Sequence, residues 1–250
     1  MARGARKAGV KRIVAMSFIN ETSEALGAEV DQVEWLRIGQ VGKSLSILKK
    51  CGARHAVMAG RVAPKNLFDL RPDFKALFIL ARLKLRNAET LFSAVADEMA
   101  KIGVELLPAW SFMQDRLATP GLIAGPKVKA RVEDDLRYGH SLAKEVSRLD
   151  IGQTVIVKNG TVLAVEAFEG TDEAIKRGAA LGRGDAIMVK VSKPGHDVRF
   201  DLPCVGPVTF ETCRAAGVRV IGIEAGKTML LERERVVELA AQYKISLFGL

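Results

Sequence analysis

The chain has 250 residues, of which 48% are hydrophobic and 27% charged, and its formal net charge is +9. This length predicts one large domain or two modest ones, with enough apolar residues for a substantial core. The most apolar run, 76–85, contains Arg82 and Lys84 and is shorter than the roughly 20 residues of a membrane-spanning helix. The basic N-terminal residues are not followed by an apolar signal-peptide core. We therefore expect a cytoplasmic protein without a transmembrane helix.

The basic charge fits three classes of partner, namely nucleic acid, an anionic membrane surface and a phosphorylated substrate. Nucleic acid is the weakest of the three, because only 6% of the residues are aromatic and no known nucleic-acid-binding motif is evident. Cys51, Cys204 and Cys213 form no CxxC pair, which argues against a disulfide framework and a zinc site. A bound metal would therefore be a hard cation held by carboxylates.

Strand-like and helix-like segments alternate in the first half of the chain. Because strands that alternate with helices are typical of βα units, this half predicts a mostly parallel sheet. The predicted strands are 12–18, 33–38, 55–60 and 104–108, and the predicted helical segments are 39–52 and 73–102, the latter broken near 86–87.

A segment with two Pro and two Gly in eight residues, 119–126, predicts a linker. We expect an N-terminal domain at 1–118, a linker at 119–130 and a C-terminal domain at 131–250. Asn159-Gly160 separates two β-rich runs and predicts a tight hairpin, which makes the second half a mixed α/β domain. The other predicted elements are helices at 132–149, 171–181, 208–216 and 233–243 and strands at 186–191, 218–224, 228–231 and 245–248.

Oxygen-bearing side chains cluster where the second hairpin strand meets the next helix. Glu166 lies at the strand end, and Glu169, Thr171 and Asp172 follow it. Such groups can hold Mg²⁺ through one or two carboxylates and several waters. Thr171 or Asp172 would equally serve as a helix cap with acidic residues in the first turn, and spacing alone favours this structural interpretation.

A second charged loop follows the strand at 186–191. Its cations, Lys190, Lys193 and Arg199, are suited to binding phosphate oxygens. Asp201 would hold a metal ion or orient water for in-line attack. From spacing alone, a solvated surface loop with incidental ion pairs is an equally good interpretation. His196 is the only histidine in this loop, and no nucleophilic triad is predicted.

Three glycines are further candidates for phosphate binding. The run GQVGKS at 39–44 is not a P-loop, because two residues rather than four separate its first Gly from the Gly-Lys pair. Gly39 and Gly42 nevertheless open a predicted helix, whose free N–H groups can receive a phosphate. Gly60 ends a predicted strand, where open α/β sheets bind ligands. A plain βα turn explains these residues equally well.

A series of blocks from residue 33 to the C-terminus resembles the LpxI-type UDP-2,3-diacylglucosamine pyrophosphatases. VEAFEGTD and KPGHDVRFDLP are the most specific of them. In uninterrupted order the blocks are GQVGKSLSILKKCG, HAVMAGRV, LFDLRPDFKAL, RLDIGQTVIVKNGTVLAVEAFEGTDEAI, VKVSKPGHDVRFDLPCVGP and GVRVIGIEAGKTMLLE.

The resemblance implies a two-domain α/β hydrolase with a Rossmann-like N-terminal domain and a mixed α/β catalytic domain. Such an enzyme cleaves UDP-2,3-diacylglucosamine to UMP and 2,3-diacylglucosamine 1-phosphate during lipid A biosynthesis. Water attacks the α-phosphorus with the help of a divalent cation such as Mg²⁺. The implied partners are a lipid-linked UDP-sugar substrate, the inner face of the cytoplasmic membrane as a peripheral contact, and a second copy in a homodimer, without nucleic acid.

The family's catalytic carboxylate matches Asp201 of RFDLP, with Asp172 and Glu169 of EGTD as the rivals. The same three carboxylates are the expected metal ligands. Lys190, Lys193 and Arg199 are assigned to phosphate on chemical grounds.

One departure concerns the first residues. Members of the family open with a strand and a glycine-rich turn of the type IAGxGxLP, whereas this chain begins at what resembles their second strand. We expect either that its start is assigned late or that the first βα unit is absent. The alternative function is therefore a non-catalytic binder of a nucleotide sugar or lipid phosphate. His196 also stands where the family pattern predicts Gln.

Overall fold

The computed structural model describes residues 1–60, 72–84, 88–195, 197–200 and 202–250. The chain divides into two compact units, Met1–Met113 with Asp197–Phe200 and Gln114–His196 with Asp201–Leu250. Both are built from helices and strands, which confirms the predicted α/β class at this level. Within the described ranges, every helix is too short or too polar to cross a membrane.

Unit 1 contains two pairs of parallel strands, β1 with β2 and β3 with β4. The predicted strands and helices of this half are present with shifted ends, whereas α1 and the 3-10 helix were not predicted. The predicted helix break near 86–87 lies outside the described residues. Its elements in chain order are α1 (Ala2–Lys7), β1 (Val14–Phe18), a 3-10 helix (Glu24–Glu29), β2 (Gln32–Leu36), α2 (Val41–Lys50), β3 (His55–Val57), α3 (Phe74–Arg82), α4 (Ala88–Lys101) and β4 (Glu105–Leu107).

Unit 2 is formed around a six-stranded mixed sheet. The hairpin and every helix predicted for this half are present. Its elements are a 3-10 helix (Gln114–Arg116), β5 (Gly121–Ala124), α5 (Ala130–Arg148), β6 (Thr154–Lys158), β7 (Thr161–Val165), α6 (Thr171–Gly182), β8 (Ile187–Lys190), β9 (Cys204–Val205), α7 (Pro207–Ala216), β10 (Val220–Ile223), β11 (Met229–Leu230), α8 (Arg233–Tyr243) and β12 (Ser246–Gly249).

The strand order of this sheet is β5-β12-β10-β8-β6-β7. Strands β8, β10 and β12 are mutually parallel, and β6 is antiparallel to both β7 and β8. The carboxyl ends of β7, β8, β10 and β12 therefore lie along one edge of the sheet. The N-terminus of α6, which directly follows β7, lies toward the same edge.

Alternating residues of the strands divide the core of unit 2 into two layers. Val155 and Val189 pack with Leu136 of α5 on one face, whereas Ile156 and Met188 join the layer that contains α6, α7 and α8 on the other. This alternation is the two-residue period of a β-strand. Because both faces are covered by helices, side chains at the sheet edge are buried from both sides.

The β6–β7 hairpin is joined by the predicted two-residue turn. Asn159 and Gly160 have positive φ values of 49° and 72°, as a type I′ turn requires. Asp135 of α5, itself buried, accepts hydrogen bonds from the N–H groups of Asn159 and Gly160 at 2.8 and 2.7 Å. One carboxylate thus fastens the turn to the helix that covers the sheet.

Part of the segment predicted as a linker is a strand. Within 119–130, residues Gly121–Ala124 form β5, which pairs antiparallel with β12. Of the Gly and Pro residues that suggested an irregular connection, Gly121 begins this edge strand and the others flank it, and such residues are tolerated in edge strands.

Candidate functional site

The carboxyl edge of the unit 2 sheet carries a concentration of polar side chains that are unusually buried. Glu166 follows β7, Lys190 ends β8, and Glu224 follows β10; each is 7–9% exposed. Ligands of open α/β sheets bind at this edge, and long charged side chains are rarely buried without partners. We therefore take this edge as the candidate site.

The first group at this edge, here called the Lys190 cluster, consists of Thr154, Glu166, Thr171 and Lys190. The Lys190 ammonium donates to the hydroxyls of Thr171 at 2.8 Å and Thr154 at 3.3 Å, and lies 3.9 Å from the Glu166 carboxylate. The Thr171 hydroxyl in turn donates to Glu166 at 2.7 Å. Since Thr171 begins α6, the cluster fixes the first turn of that helix against the ends of β6, β7 and β8.

The second group, the Glu224 cluster, consists of Lys144, Ser192, Glu224 and Lys227. The Glu224 carboxylate accepts hydrogen bonds from the N–H and hydroxyl of Ser192 and from the ammonium groups of Lys144 and Lys227. Burial raises the pKa of Glu224, but the hydrogen bonds outweigh it and lower that pKa to about 2. The ionised carboxylate therefore holds the end of β8, where the charged loop begins.

A shallow pocket of about 130 Å³ lies beside these clusters. It is lined by Ser147, Asp150, Ile151, Gly152, Gln153 and Lys193. Lys193 donates to Asp150 at 3.1 Å. Gly152 is required at this point, since a Cβ there would lie 2.1 Å from the Glu166 carbonyl oxygen. The pocket thus places one predicted phosphate-binding lysine next to the Lys190 cluster.

Of the predicted carboxylates, Asp172 and Glu169 lie at the start of α6. Glu169 is ion-paired with Arg177 at 2.5 Å, and this hydrogen bond lowers the pKa of the Glu169 carboxyl. Asp172 is half-buried in the first turn of the helix, where a negative charge complements the helix dipole. Asp172 is the more available of the two for a cation.

Asp201 and His196, on which part of the prediction depends, lie outside the described residues. Within the described ranges, no group of three His, Cys, Asp or Glu side chains is close enough to hold a metal ion. The metal site at Asp201, Asp172 and Glu169 stays a prediction.

The predicted phosphate-binding residues are divided between the units. Lys190 and Lys193 belong to unit 2, whereas Arg199 belongs to unit 1 with Gly39, Gly42 and Gly60. Arg199 makes a bidentate pair with Asp197. Hydrogen bonding to this carboxylate raises the pKa of the guanidinium, although partial burial acts to lower it. The guanidinium also lies 5.0 Å from the centre of the Phe200 ring.

The glycine turn before α2 already has an anionic partner. The Asp73 carboxylate accepts hydrogen bonds from the N–H groups of Gly42 at 2.7 Å and Lys43 at 3.3 Å, and its other oxygen caps α3 through Ala76. A phosphate at this helix N-terminus would have to displace Asp73. Gly39 and Gly60 have φ values of 95° and 91°, which favour glycine at both turns.

Comparison with known proteins places the chain in a family. Residues 1–116 match the family model described as LpxI N-terminal domain, and residues 119–248 match the one described as LpxI C-terminal domain. The chain belongs to the LpxI family. A relative from Caulobacter vibrioides, "UDP-2,3-diacylglucosamine pyrophosphatase LpxI", is 32% identical over 223 residues, which are 85% of this chain and 80% of the relative. The resemblance stated from the sequence blocks is confirmed.

Sequence reasoning missed several polar residues that this LpxI chain gathers at the sheet edge. Lys144 and Ser192 were not predicted as site residues, and Glu224 was predicted only as the end of a strand. The available signal was an ionisable residue directly after a buried strand, as Glu224 follows VIGI. Lys144 gave no such signal, because a lysine in an amphipathic helix normally faces solvent.

Proposed function

We propose that this LpxI protein hydrolyses UDP-2,3-diacylglucosamine at the α-phosphate, releasing UMP and 2,3-diacylglucosamine 1-phosphate in lipid A biosynthesis. The observation that carries the proposal is similarity along both halves of the chain, to both LpxI domains and to a relative named for this pyrophosphatase. The polar clusters at the carboxyl edge of the unit 2 sheet support it, since such edges bind ligands.

Cations of the chain would bind and neutralise the diphosphate. Lys193, beside the 130 Å³ pocket, would exchange its contact with Asp150 for a phosphate oxygen. Arg199 would contribute a planar donor group, which suits phosphate. Lys190 is buried and hydrogen-bonded to two hydroxyls, so we assign it to holding the first turn of α6 in addition to its predicted contact with phosphate.

The carboxylates would handle water and a divalent cation, Mg²⁺ or a similar ion. Asp172 and Asp201 would supply the one or two carboxylates that Mg²⁺ takes in addition to substrate oxygens and water. Glu169 is the less suitable ligand, because Arg177 already occupies it. When bound, the cation would neutralise charge that develops on the phosphate oxygens. Asp201 would orient the attacking water if Asp172 holds the ion.

The remaining proposals concern the whole protein. Unit 1 would be a Rossmann-like nucleotide-side domain, since its parallel strand pairs alternate with helices. The chain would act as a homodimer at the cytoplasmic face of the inner membrane, with its domains at 1–118 and 131–250. Molecular mass in solution tests the dimer.

The proposed catalytic role is tested by UMP release from UDP-2,3-diacylglucosamine in the presence of Mg²⁺. We expect Asp201→Ala to lower turnover by orders of magnitude while the melting temperature stays nearly unchanged. Asp185→Ala is the matched control, because this carboxylate is exposed and its distance to the Arg219 guanidinium is a long 3.7 Å. The turnover of this variant should equal that of the wild type. Wild-type turnover in Asp201→Ala would contradict the role of this residue.

The same assay distinguishes the hydrolase from a binding protein. A thermal shift with UDP-sugars but no UMP release from the wild type would contradict the proposed reaction and favour a non-catalytic binder. Tight, salt-dependent binding of random-sequence nucleic acid without UMP release would instead favour a nucleic-acid-binding protein.

A further inference from the structure

Helix α3 carries two apolar stripes, of which only one is packed. Ala76 and Ile79 are 4% and 5% exposed and face the interior of unit 1. The other stripe, here called the α3 outer stripe, consists of Phe74, Leu77, Phe78 and Ala81. These positions follow the i, i+3, i+4, i+7 spacing of one helix face.

Three large side chains of the α3 outer stripe are exposed next to one another on the same helix face. Phe74 is 92% exposed, Phe78 52% and Leu77 49%. Single exposed apolar residues are normal, but a continuous row on one helix face marks an interaction surface. The row needs an apolar partner.

The charges around α3 identify the kind of partner. The described segment around the stripe, 72–84, contains Lys75, Arg82 and Lys84 against a single acidic residue, Asp73. The asymmetry extends to the first 113 residues, which have 18 Lys and Arg against 11 Asp and Glu and so hold +7 of the net charge of +9. On the helix itself, the Arg82 guanidinium lies 4.6 Å from the centre of the exposed Phe78 ring. Basic charge therefore adjoins the apolar stripe.

We propose that the α3 outer stripe docks on an anionic phospholipid bilayer, with Phe74, Leu77 and Phe78 inserted among the lipids and Arg82 and Lys84 at the headgroups. Interfacial helices combine an apolar face with Lys and Arg in this way, and basic side chains extend their charge to water while their stems lie on apolar surface. An acidic protein surface would match the charge but not the exposed phenyl rings.

This inference rests on the proposed function, because membrane docking is useful to the protein if its substrate, with two acyl chains, resides in a membrane. It deepens that function by naming the surface that meets the membrane. A short helix with a few inserted side chains supplies a reversible contact, as an enzyme that turns over membrane substrates needs.

The test is cosedimentation of the full chain with vesicles of equal parts phosphatidylcholine and phosphatidylglycerol, and with pure phosphatidylcholine vesicles. We expect binding to the anionic vesicles that weakens with salt, and little to the neutral ones. Phe74→Ser combined with Phe78→Ser should weaken it tenfold or more, since burying one aromatic side chain alone is worth about that factor. Arg82→Gln combined with Lys84→Gln should weaken it several-fold.

Phe168→Ser is the matched control, because Phe168 is 83% exposed but belongs to unit 2; its binding should equal that of the wild type. Wild-type binding by the Phe74/Phe78 variant, or no binding of the wild type to anionic vesicles, would overturn the proposal. Self-association that this variant abolishes, without vesicle binding, would overturn it in favour of a second copy.

Turnover in detergent separates this inference from the proposed function. With substrate dispersed in neutral detergent micelles, the Phe74/Phe78 variant should release UMP at the wild-type rate, since docking is bypassed. Absence of UMP release by the wild type would contradict the proposed reaction while leaving the vesicle result intact. A variant that fails equally in micelles would contradict the docking role.

Discussion

Glu224 is a carboxylate whose ionised form is built into the fold. It is 7% exposed and accepts hydrogen bonds from two lysines and from Ser192. Half-buried His140, whose pKa is lowered by burial and partly restored by the charge of Glu224, lies in the same surroundings. The Glu224 cluster connects α5 to the ends of β8 and β10, so protonation of the Glu224 carboxylate should lower the stability of the fold.

The pH dependence follows from the pKa of Glu224, which is about 2 rather than its ordinary 4.5. A pKa lowered in the folded state stabilises the fold by roughly 3 kcal/mol. This stabilisation is fully present at pH values above the ordinary pKa and decreases as the pH falls toward 2. We expect urea unfolding of Glu224→Gln to show a shallower loss of stability over this range than the wild type. Glu211→Gln, at an exposed carboxylate, is the control. Equal slopes for Glu224→Gln and the wild type would show that ionised Glu224 does not stabilise the fold.

Thr171 connects the two charged members of the Lys190 cluster through one hydroxyl. Thr171→Val keeps the shape of the side chain but leaves the Lys190 ammonium and the Glu166 carboxylate short of a buried partner. The free energy of unfolding should fall by about 1–3 kcal/mol, and UMP release should slow because the first turn of α6 carries Asp172. Thr161→Val, at an exposed β7 residue, should change neither. Unchanged stability and turnover in Thr171→Val would show that the Lys190 cluster does not contribute to the candidate site.

At the scale of elements, the attachment of the β6–β7 hairpin to α5 is a separate stabilising device. Asp135→Ala removes the acceptor of two N–H groups in the turn, so stability should fall by about 2 kcal/mol, the range of a hydrogen bond to a charged group. Asp134→Ala is the matched control, because the Asp134 side chain is 71% exposed and pairs with exposed Arg137. Chemical denaturation of both variants measures the difference. Equal effects would show that the carboxylate does not fasten the turn.

The elements also show what the sequence could predict. The Asn-Gly turn was predictable because its backbone requires those residues, and the helices because their apolar periodicity is long. Strand β5 was missed because four residues between Gly and Pro carry too short a pattern, and their pairing with β12 depends on residues more than a hundred positions away. The burial of Lys190 depends likewise on Thr154 and Thr171, which only the folded chain brings together.

At the scale of the molecule, the two units differ in chemistry as well as in topology. Unit 2 has the continuous six-stranded sheet and the polar clusters at its carboxyl edge. The first 113 residues hold most of the positive charge, and α3 presents an apolar stripe to solvent. The net charge was visible in the composition, but its combination with exposed Phe74 and Phe78 was not, because an apolar helical segment is normally buried. Residue order across both LpxI domains identified the family where spacing alone could not.

The proposed reaction is hydrolysis of UDP-2,3-diacylglucosamine by attack of water on the α-phosphorus. The most direct measurement is a turnover in water enriched in heavy oxygen, followed by mass spectrometry of both products. If water attacks the α-phosphorus, UMP gains one heavy oxygen atom and 2,3-diacylglucosamine 1-phosphate gains none. Label in the lipid phosphate would show attack at the β-phosphorus, and absence of both products would show that the chain is not this hydrolase. Either result would contradict hydrolysis at the α-phosphate.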